Sequence, residues 1–512
     1  MGLYSVTGET ISIGLGLPSF VRGMSETVKA KIAHFGLENI HPGDVLVTND
    51  AYITGSHLNH ITLTKPVFDG GRIVAFTCCM AHWIDIGGTK GDITSDIFSE
   101  GIQVPITKYL DQGKVNQLLV DFLRMNVRMP DLSIGDLRAG LSAVETGEKR
   151  MQEMIARYGG PEVLAAIDAI MDHSDRMAQA RAAQIPDGVY EAESFMDDDG
   201  LSRGKPIPIK VKVTVRNGRV SVDLSGVSPQ VQGYYNSAGG TGIACAQVAY
   251  KCLTTPDVYP VNDGAFRSLE VICPEGTVVS AKRPAAMRWW MAIPMTVVDT
   301  IIKALAPALP LQAAAGHHAD LAVIEVRGIK PDTGEFFVAA IGPTGGGWGA
   351  KASEDGHPVT VCSNDGDTHN SPSERIEAKY PLLVERYCLR QDSGGAGTFR
   401  GGLGAEIVIE ALAPVEVSTP VERTRCKPWG IEGGSDGMAN NVALYRNGVW
   451  EELESGKVAN VRLEAGDKIK VETGGGGGYG PAEGRSPEAI ERDLRNGYIS
   501  LAHARAAYGY GG

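Results

Sequence analysis

The 512-residue chain lacks several features that would assign it to a simple class. It has no run of about 18 apolar residues, the length that a membrane-spanning helix requires. Its N-terminus has no basic segment followed by an apolar run and a cleavage site. Its 8 cysteines include no Cys-x-x-Cys pair, and most lie in apolar runs. We therefore expect a soluble, cytoplasmic protein with reduced, buried thiols and no membrane partner.

Positive charge is also scarce. The chain has 48 Lys and Arg against 61 Asp and Glu, a net charge of −13. Binding to nucleic acid needs a basic face, so this composition argues against a nucleic-acid partner. Glycine is in excess, with 65 residues, roughly twice its usual share. The length predicts about three domains, and the glycine content predicts many turns.

The pattern of apolar residues predicts a multidomain α+β protein with mixed and antiparallel β modules and a helical hairpin. Residues Leu132 to Tyr158 and Pro161 to Ala183 have apolar residues at helical spacings of three and four. Around Asn217-Gly218, apolar and polar residues alternate, which is typical of a β-hairpin. No strand–helix–strand rhythm is present. We expect a strand-rich domain at 1–130, the helical hairpin at 131–185, a mixed α/β region at 186–380 and a β-rich module with C-terminal helices at 381–512.

Four glycine-rich segments raise the question of phosphate binding. None is followed by Lys-Ser/Thr as in a P-loop, and none lies between a parallel strand and a helix. We interpret them as tight turns or places of close backbone approach, and the chain offers no convincing ATP loop. The segments begin at Gly345, Gly394, Gly401 and Gly474.

Three histidines, His57, His60 and His82, are clustered in sequence. The intervening residues predict two strands around Phe68-Asp-Gly-Gly71. A two-residue turn at Asp69-Gly70 would place His57 opposite His82, and His60 opposite Cys79. Facing residues of such a pair have Cβ atoms about 5 Å apart, which suits imidazoles that converge on one ion.

Positions 57 and 60 would point to opposite faces of a straight strand, so this site requires a bend near Gly55-Ser56. Three neutral imidazoles favour Zn²⁺ over Mg²⁺ or Ca²⁺, and Mn²⁺ or Fe²⁺ becomes suitable if Asp50 or Asp85 joins them. The alternative is that these histidines only make hydrogen bonds at strand ends.

Two other segments could contribute to a site. Asp365 to Glu374 concentrates carboxylates, hydroxyls and a histidine, so Asp367 and His369 are candidates for general acid/base catalysis, the alternative being a solvated loop. Two adjacent indoles in Arg288-Trp-Trp-Met291 are costly to expose, so Trp289 and Trp290 could wall a pocket or an interface. No Gly-x-Ser-x-Gly elbow supports covalent serine catalysis.

The chain resembles the hydantoinase B family, which includes acetone carboxylase α subunits, caprolactamase small subunits and the C-terminal part of 5-oxoprolinases. The similar segments follow the family's order over nearly the whole length. They are Pro42-Gly-Asp-Val-Leu-Val-Thr-Asn-Asp-Ala-Tyr, Gly55-Ser-His-Leu-Asn, Ala81-His-Trp-Ile-Asp-Ile-Gly-Gly, Asn126-Val-Arg-Met-Pro-Asp-Leu-Ser-Ile-Gly-Asp-Leu, Asp392-Ser-Gly-Gly-Ala-Gly-Thr-Phe-Arg-Gly-Gly-Leu-Gly, Glu422-Arg-Thr-Arg-Cys-Lys-Pro-Trp-Gly and Thr473-Gly-Gly-Gly-Gly-Gly-Tyr-Gly.

The resemblance implies a divalent metal held by a histidine, an Asp three residues later, and a second histidine about 25 residues after the first. His57 and His82 match these positions, and His60 stands where the family usually has Asp. The expected cofactor is therefore Zn²⁺ or Mn²⁺, held by His57, His60 and His82 with Asp50 or Asp85 nearby. Members also usually begin with a further segment, so we expect a truncated chain or a segment supplied by another polypeptide.

The resemblance also implies a partner, a hydantoinase A type subunit with an actin-like ATPase fold that uses ATP to phosphorylate the substrate. The metal subunit then completes the reaction, with Asp85, Asp367 or His369 as candidates for the base. The first hypothesis is ATP-dependent hydrolysis of a cyclic amide of the hydantoin, lactam or oxoproline type. The alternatives are ATP-dependent carboxylation of a ketone and a noncatalytic assembly subunit.

Overall fold

The computed structural model describes residues 1–14, 16–254, 261–361 and 370–511. These residues form two compact units. The first unit contains Met1–Thr89, Thr94–Glu191 and Lys210–Pro294, and the second contains Lys90–Ile93, Ala192–Ile209 and Met295–Gly512. Within the described residues, no helix is both long enough and apolar enough to cross a bilayer. The predicted multidomain α+β class is confirmed.

The described helices and strands have the following bounds. The helices are α1 Pro18–Phe35, α2 Ala51–Thr54, α3 Gln117–Asn126, α4 Pro130–Tyr158, α5 Gly160–Ala182, α6 Gly239–Thr254, α7 Ala292–Leu305, α8 Ser373–Lys379, α9 Pro487–Arg495 and α10 Leu501–Tyr508. The strands are β1 Gly2–Tyr4, β2 Thr10–Ile13, β3 Val45–Thr48, β4 His60–Asp69, β5 Arg72–His82, β6 Thr107–Asp111, β7 Lys114–Val115, β8 Gly188–Met196, β9 Ile207–Arg216, β10 Arg219–Asp223, β11 Leu269–Ile272, β12 Ile324–Ile329, β13 Phe336–Ile341, β14 Leu382–Leu389, β15 Ala405–Ala411, β16 Val415–Pro420, β17 Asn441–Arg446, β18 Val449–Glu452, β19 Lys457–Leu463 and β20 Lys468–Glu472.

A seven-stranded antiparallel sheet organises the first unit, with strand order β2-β1-β5-β4-β3-β6-β7. Helix α1 buries Met24 and Val28 against one face, in a cluster that includes Phe76 of β5. Helix α4 covers the other face, where Leu137 joins a cluster with Leu63 of β4. The two longest strands of this sheet, β4 and β5, are therefore covered by helices on both sides.

The helical hairpin is confirmed, and its bounds differ from the prediction by no more than two residues. Gly159, with a φ of 89°, separates α4 from α5. Each helix has a proline within its first two residues, where the missing N–H has no intrahelical partner to lose. Gly140 faces Leu63 and Cys79, so the absence of a side chain there brings α4 close to the sheet.

The predicted hairpin around Asn217-Gly218 is also confirmed, because Arg216 of β9 pairs with Arg219 of β10. Both turn residues have positive φ, 52° and 73°, as a type I′ turn requires. Strand β11 then adds to β10 in parallel. The four-stranded sheet β11-β10-β9-β8 is therefore mixed.

Two sheets share one core in the second unit. Their orders are β13-β12-β16-β19 and β14-β15-β20-β17-β18. Ile324 and Val417 of the first sheet lie in the same buried cluster as Ile407 and Ile469 of the second. The described strand pairs of both sheets are antiparallel, as the sequence predicts for most of the chain after residue 186.

The glycine-rich segments of the second unit lie directly against one another. Gly476 donates its N–H to Gly402 O at 2.9 Å, and its carbonyl accepts from Gly395 N at 2.9 Å. A methyl group added at Gly476 would overlap the carbonyl oxygen of Trp348, although its φ is not in the left-handed region. Close backbone approach therefore explains this glycine, one of the two interpretations that the sequence left open.

Candidate metal centre

The β4–β5 hairpin brings two of the three clustered histidines face to face. His60 is the first residue of β4 and pairs with His82, the last residue of β5. The predicted pairing of His57 with His82, and of His60 with Cys79, is therefore wrong. The turn is formed by Gly70 and Gly71, with φ of 53° and 80°, rather than by Asp69-Gly70, and a bulge between Val67 and Phe68 shifts the register further.

His57 reaches the same place from outside the sheet. It follows helix α2, which ends at Gly55 in the left-handed conformation with a φ of 83°. This is the bend near Gly55-Ser56 that the odd spacing of the two histidines requires. Adding a side chain at Gly55 would also strike Thr241, so both the conformation and the space favour glycine.

The three imidazoles converge through one nitrogen each. His57 Nε2 lies 3.2 Å from His60 Nε2 and 3.1 Å from His82 Nδ1. His82 Nδ1 lies 3.4 Å from His60 Nε2. Three ligands about 2.0–2.1 Å from one tetrahedral ion would be about 3.3 Å apart. The spacing of these nitrogens therefore fits a divalent ion, and imidazole donors, which are of borderline softness, suit Zn²⁺.

The other ring nitrogens of His57 and His60 are held by neighbouring groups. His57 Nδ1 lies 2.9 Å from the carbonyl oxygen of Arg288, and His60 Nδ1 lies 2.8 Å from Ser56 Oγ. A carbonyl oxygen can only accept, so His57 carries its proton on Nδ1 and turns the Nε2 lone pair towards the other histidines.

The site is closed on one side and open on the other. His60 is fully buried, His57 is partly buried and His82 is exposed. Burial, together with the adjacent His57 and His82, holds the pKa of His60 well below its usual value of 6.5. His60 is therefore a neutral imidazole, the form that can ligate a metal.

Two aromatic side chains form the closed side. The Phe20 ring lies 4.4 Å from the His60 ring and 5.8 Å from Trp290. Trp290 is buried and lies 6.3 Å from His57 and 6.0 Å from His60, between ring centroids. Trp290 thus lies beside the candidate site, in line with its interpretation as part of a pocket wall.

Glu100 supports the loop that contains Arg288 and Trp290. Its buried carboxylate accepts hydrogen bonds from Met287 N at 3.0 Å and Arg288 N at 2.9 Å. Burial raises the pKa of Glu100, although these bonds and Thr94 oppose the shift. Sequence reasoning missed Glu100, Ser56 and Phe20, because no local pattern shows that they lie beside the histidines.

The carboxylates proposed from sequence lie elsewhere or serve other bonds. Asp50 caps α2 by accepting from Tyr52 N, and it pairs with Arg283 at 3.1 Å. Within the described residues, the group of at least three close metal-ligating side chains contains the three histidines and not Asp50 or Asp85. The participation of Asp50 and Asp85 in the metal site remains a prediction.

Asp85 is completely buried near the start of α4. It accepts from the backbone N–H groups of Arg128, Met129 and Gly87, and from the guanidinium of Arg128. These bonds favour a role in holding the chain before α4. Asp365, Asp367 and His369 lie outside the described residues, and their predicted catalytic roles stay predictions.

Comparison with known proteins identifies the family. Residues 1–482 match the family model described as Hydantoinase B/oxoprolinase. The chain belongs to this family. Among its relatives, the caprolactamase subunit beta of Pseudomonas jessenii is 30% identical over 99% of this chain and 89% of its own length. The 5-oxoprolinase 1 of Arabidopsis thaliana is 29% identical over 93% of this chain but 38% of that protein.

Two solved structures confirm the fold of this hydantoinase B chain. The crystal structure of the ATP-dependent caprolactamase from Pseudomonas jessenii has a TM-score of 0.92 at 28% identity, covering 99% of this chain and 89% of that one. A nucleotide-free acetone carboxylase structure has a TM-score of 0.91 at 19% identity, covering 99% of this chain and 74% of that one. At that identity, the second likeness shows the fold alone.

Proposed function

We propose that this chain is the metal-binding subunit of an ATP-dependent complex that hydrolyses a cyclic amide of the hydantoin, lactam or oxoproline type. The observation that carries the proposal is the convergence of three imidazole nitrogens at 3.1–3.4 Å. Family membership and the caprolactamase likeness favour an amide over a ketone as substrate.

The residues of the site have distinct tasks in this proposal. His57, His60 and His82 would hold Zn²⁺ or Mn²⁺, which when bound polarises the carbonyl group of a substrate. Phe20 and Trp290 exclude water from the buried side. His82 lies on the exposed side, where substrate would enter. Asp367 and His369 remain our candidates for the base that moves a proton during hydrolysis.

We assign ATP to a hydantoinase A type partner. Two of the glycine-rich segments, those that begin at Gly394 and Gly474, pack against each other through their backbones. The P. jessenii relative is named a subunit and its structure is described as ATP-dependent. The matched region is also well under half of the Arabidopsis 5-oxoprolinase, which leaves room there for a further activity.

The test is to produce the chain together with a hydantoinase A type subunit, load it with Zn²⁺ or Mn²⁺, and measure ATP hydrolysis. One set of reactions contains hydantoin, caprolactam or 5-oxoproline, and the other contains acetone or acetophenone with bicarbonate. We expect ATP loss coupled to ring opening of a cyclic amide. ATP loss only with ketone and bicarbonate would instead identify a carboxylase.

A matched pair of variants tests the involvement of the candidate site in this reaction. His82→Ala removes one of the three converging nitrogens and should abolish turnover. His34→Ala removes an exposed histidine of α1 and should not change it. Equal turnover by both variants would contradict a catalytic role for the histidine cluster.

A further inference from the structure

Ser56 has a buried hydroxyl group that lies beside the most buried histidine of the site. Ser56 is 1% exposed and His60 is 2% exposed. Ser56 Oγ lies 2.8 Å from His60 Nδ1 and 3.2 Å from Thr54 Oγ1. Thr54, Ser56 and His60 therefore form a short chain of hydrogen bonds that leads from the end of α2 to the metal-facing imidazole.

The proton on His60 can be placed from its neighbours. His57 donates Nδ1–H to a carbonyl, so its Nε2 can only accept. If the 3.2 Å contact between His57 Nε2 and His60 Nε2 is a hydrogen bond, then the proton must lie on His60 Nε2. Ser56 would in that case donate to His60 Nδ1.

Metal ligation requires the other tautomer of His60, because the Nε2 lone pair must then face the ion. The proton then lies on Nδ1 instead of Nε2, and the imidazole stays neutral. The new N–H needs an acceptor, which Ser56 Oγ supplies. The Ser56 hydroxyl hydrogen then points to Thr54 Oγ1, so every one of these buried protons keeps a partner.

We propose that Ser56 is a positioning residue that, together with Thr54, holds His60 in the tautomer that presents Nε2 to a divalent ion. The inference rests on the proposed metal site and adds the groups that set its tautomer. A hydroxyl group suits this role because it can accept the Nδ1–H of His60 while it donates its own hydrogen to Thr54 Oγ1.

Three substitutions test the role of the hydroxyl groups. Ser56→Ala removes the partner of His60 Nδ1, and Thr54→Val removes the acceptor of Ser56 while keeping the side-chain shape. Thr54→Ser keeps the hydroxyl and is the matched control. The affinity for Zn²⁺ is measured by competition with a chromophoric chelator, and the visible spectrum of the Co²⁺-loaded protein reports the ligand arrangement.

We expect Ser56→Ala to weaken Zn²⁺ binding about 10- to 100-fold, as loss of a group that orients a metal-bound histidine usually does. Thr54→Val should weaken it less and Thr54→Ser should restore the parental affinity and Co²⁺ spectrum. Thermal unfolding of the metal-free variants, followed in parallel, should stay close to that of the parent, which separates positioning from general destabilisation.

Two results would overturn the inference and can be told apart. If Ser56→Ala binds Zn²⁺ as tightly as the parent while His82→Ala does not bind it, then the metal site stands and the positioning role is refuted. If the parent chain itself binds neither Zn²⁺ nor Co²⁺, then the proposed metal site fails, and the role of Ser56 fails with it.

Discussion

His60 is the residue at which the proposed metal site departs from the ligand pattern that the family resemblance implies. An imidazole at this position leaves the proposed site with one fewer negative charge than an Asp would supply. The residue is buried and neutral, so its contribution to binding is a lone pair rather than charge. Metal preference should therefore depend on this single position.

His60→Asp should retain a divalent ion and shift its preference from Zn²⁺ towards Mn²⁺, because a carboxylate is a harder ligand than an imidazole. The measurement is a competition titration of parent and variant with both ions. An unchanged ratio of the two affinities would show that position 60 does not contact the ion.

Lys31 is a second buried residue, and its protonation affects the free energy of unfolding. Its ammonium group donates to Thr62 O at 3.0 Å, Thr62 Oγ1 at 3.1 Å and Thr64 Oγ1 at 3.0 Å. Burial lowers the pKa of Lys31 from 10.5 to about 8, and the nearby Cys78 and Cys79 oppose only part of that shift. Three neutral acceptors do not replace the hydration of a charge.

The pKa of Lys31 predicts a rise in stability between about pH 8 and pH 10.5. In that range the unfolded chain holds the Lys31 proton and the folded chain has released it, so the free energy of unfolding increases with pH. Over the whole range the contribution is about 3 kcal/mol. Urea unfolding of Lys31→Met should lack this rise, and the difference between the two pH profiles isolates it from other groups. Parallel profiles would contradict the assignment.

At the scale of elements, the β4–β5 hairpin shows what the sequence could and could not predict. Two strands, a tight glycine turn and a bend before His60 were predictable from local patterns. The register was not, because Asp69-Gly70 and Gly70-Gly71 are both acceptable turns, and the bulge at Val67 has no local signal. The three histidines still meet, since His57 approaches from the loop rather than from the strand.

The packed glycine segments offer a test of close backbone approach. Gly476→Ala would place a methyl group on the Trp348 carbonyl, and we expect it to lower the free energy of unfolding by about 3 kcal/mol. Gly135→Ala in α4 meets no atom within 4 Å and should raise it by up to about 1 kcal/mol, because alanine favours helix. Urea denaturation compares the two. A Gly476→Ala variant as stable as Gly135→Ala would contradict this packing.

On the scale of the whole molecule, the fold class and family were predictable, whereas long-range neighbours were not. The helical hairpin and the antiparallel modules follow from periodicity and turn residues, which act over short stretches of chain. Arg288 and Trp290 lie more than 200 residues from His57 in sequence. Only the folded chain shows that the Arg288 carbonyl contacts His57 and that Trp290 lies nearby. The glycine-rich segments likewise indicate close backbone packing, but their sequence does not show which part of the chain lies against each glycine.

We also predict that this chain needs a second subunit for activity. The chain alone should neither hydrolyse ATP nor open a cyclic amide, because its own glycine segments are occupied by backbone packing. Adding a hydantoinase A type subunit should produce both activities together, measured as released phosphate and opened ring. ATP-independent turnover of an amide by the lone chain would refute this dependence.

The most direct test of the central claim is the metal content of the purified chain after exposure to Zn²⁺ or Mn²⁺ and removal of excess ion. We expect about one equivalent in the parent and in His34→Ala, and a loss of binding by orders of magnitude in His82→Ala. A parent that retains less than about a tenth of an equivalent, or a His82→Ala variant that retains as much as the parent, would contradict a metal site at His57, His60 and His82.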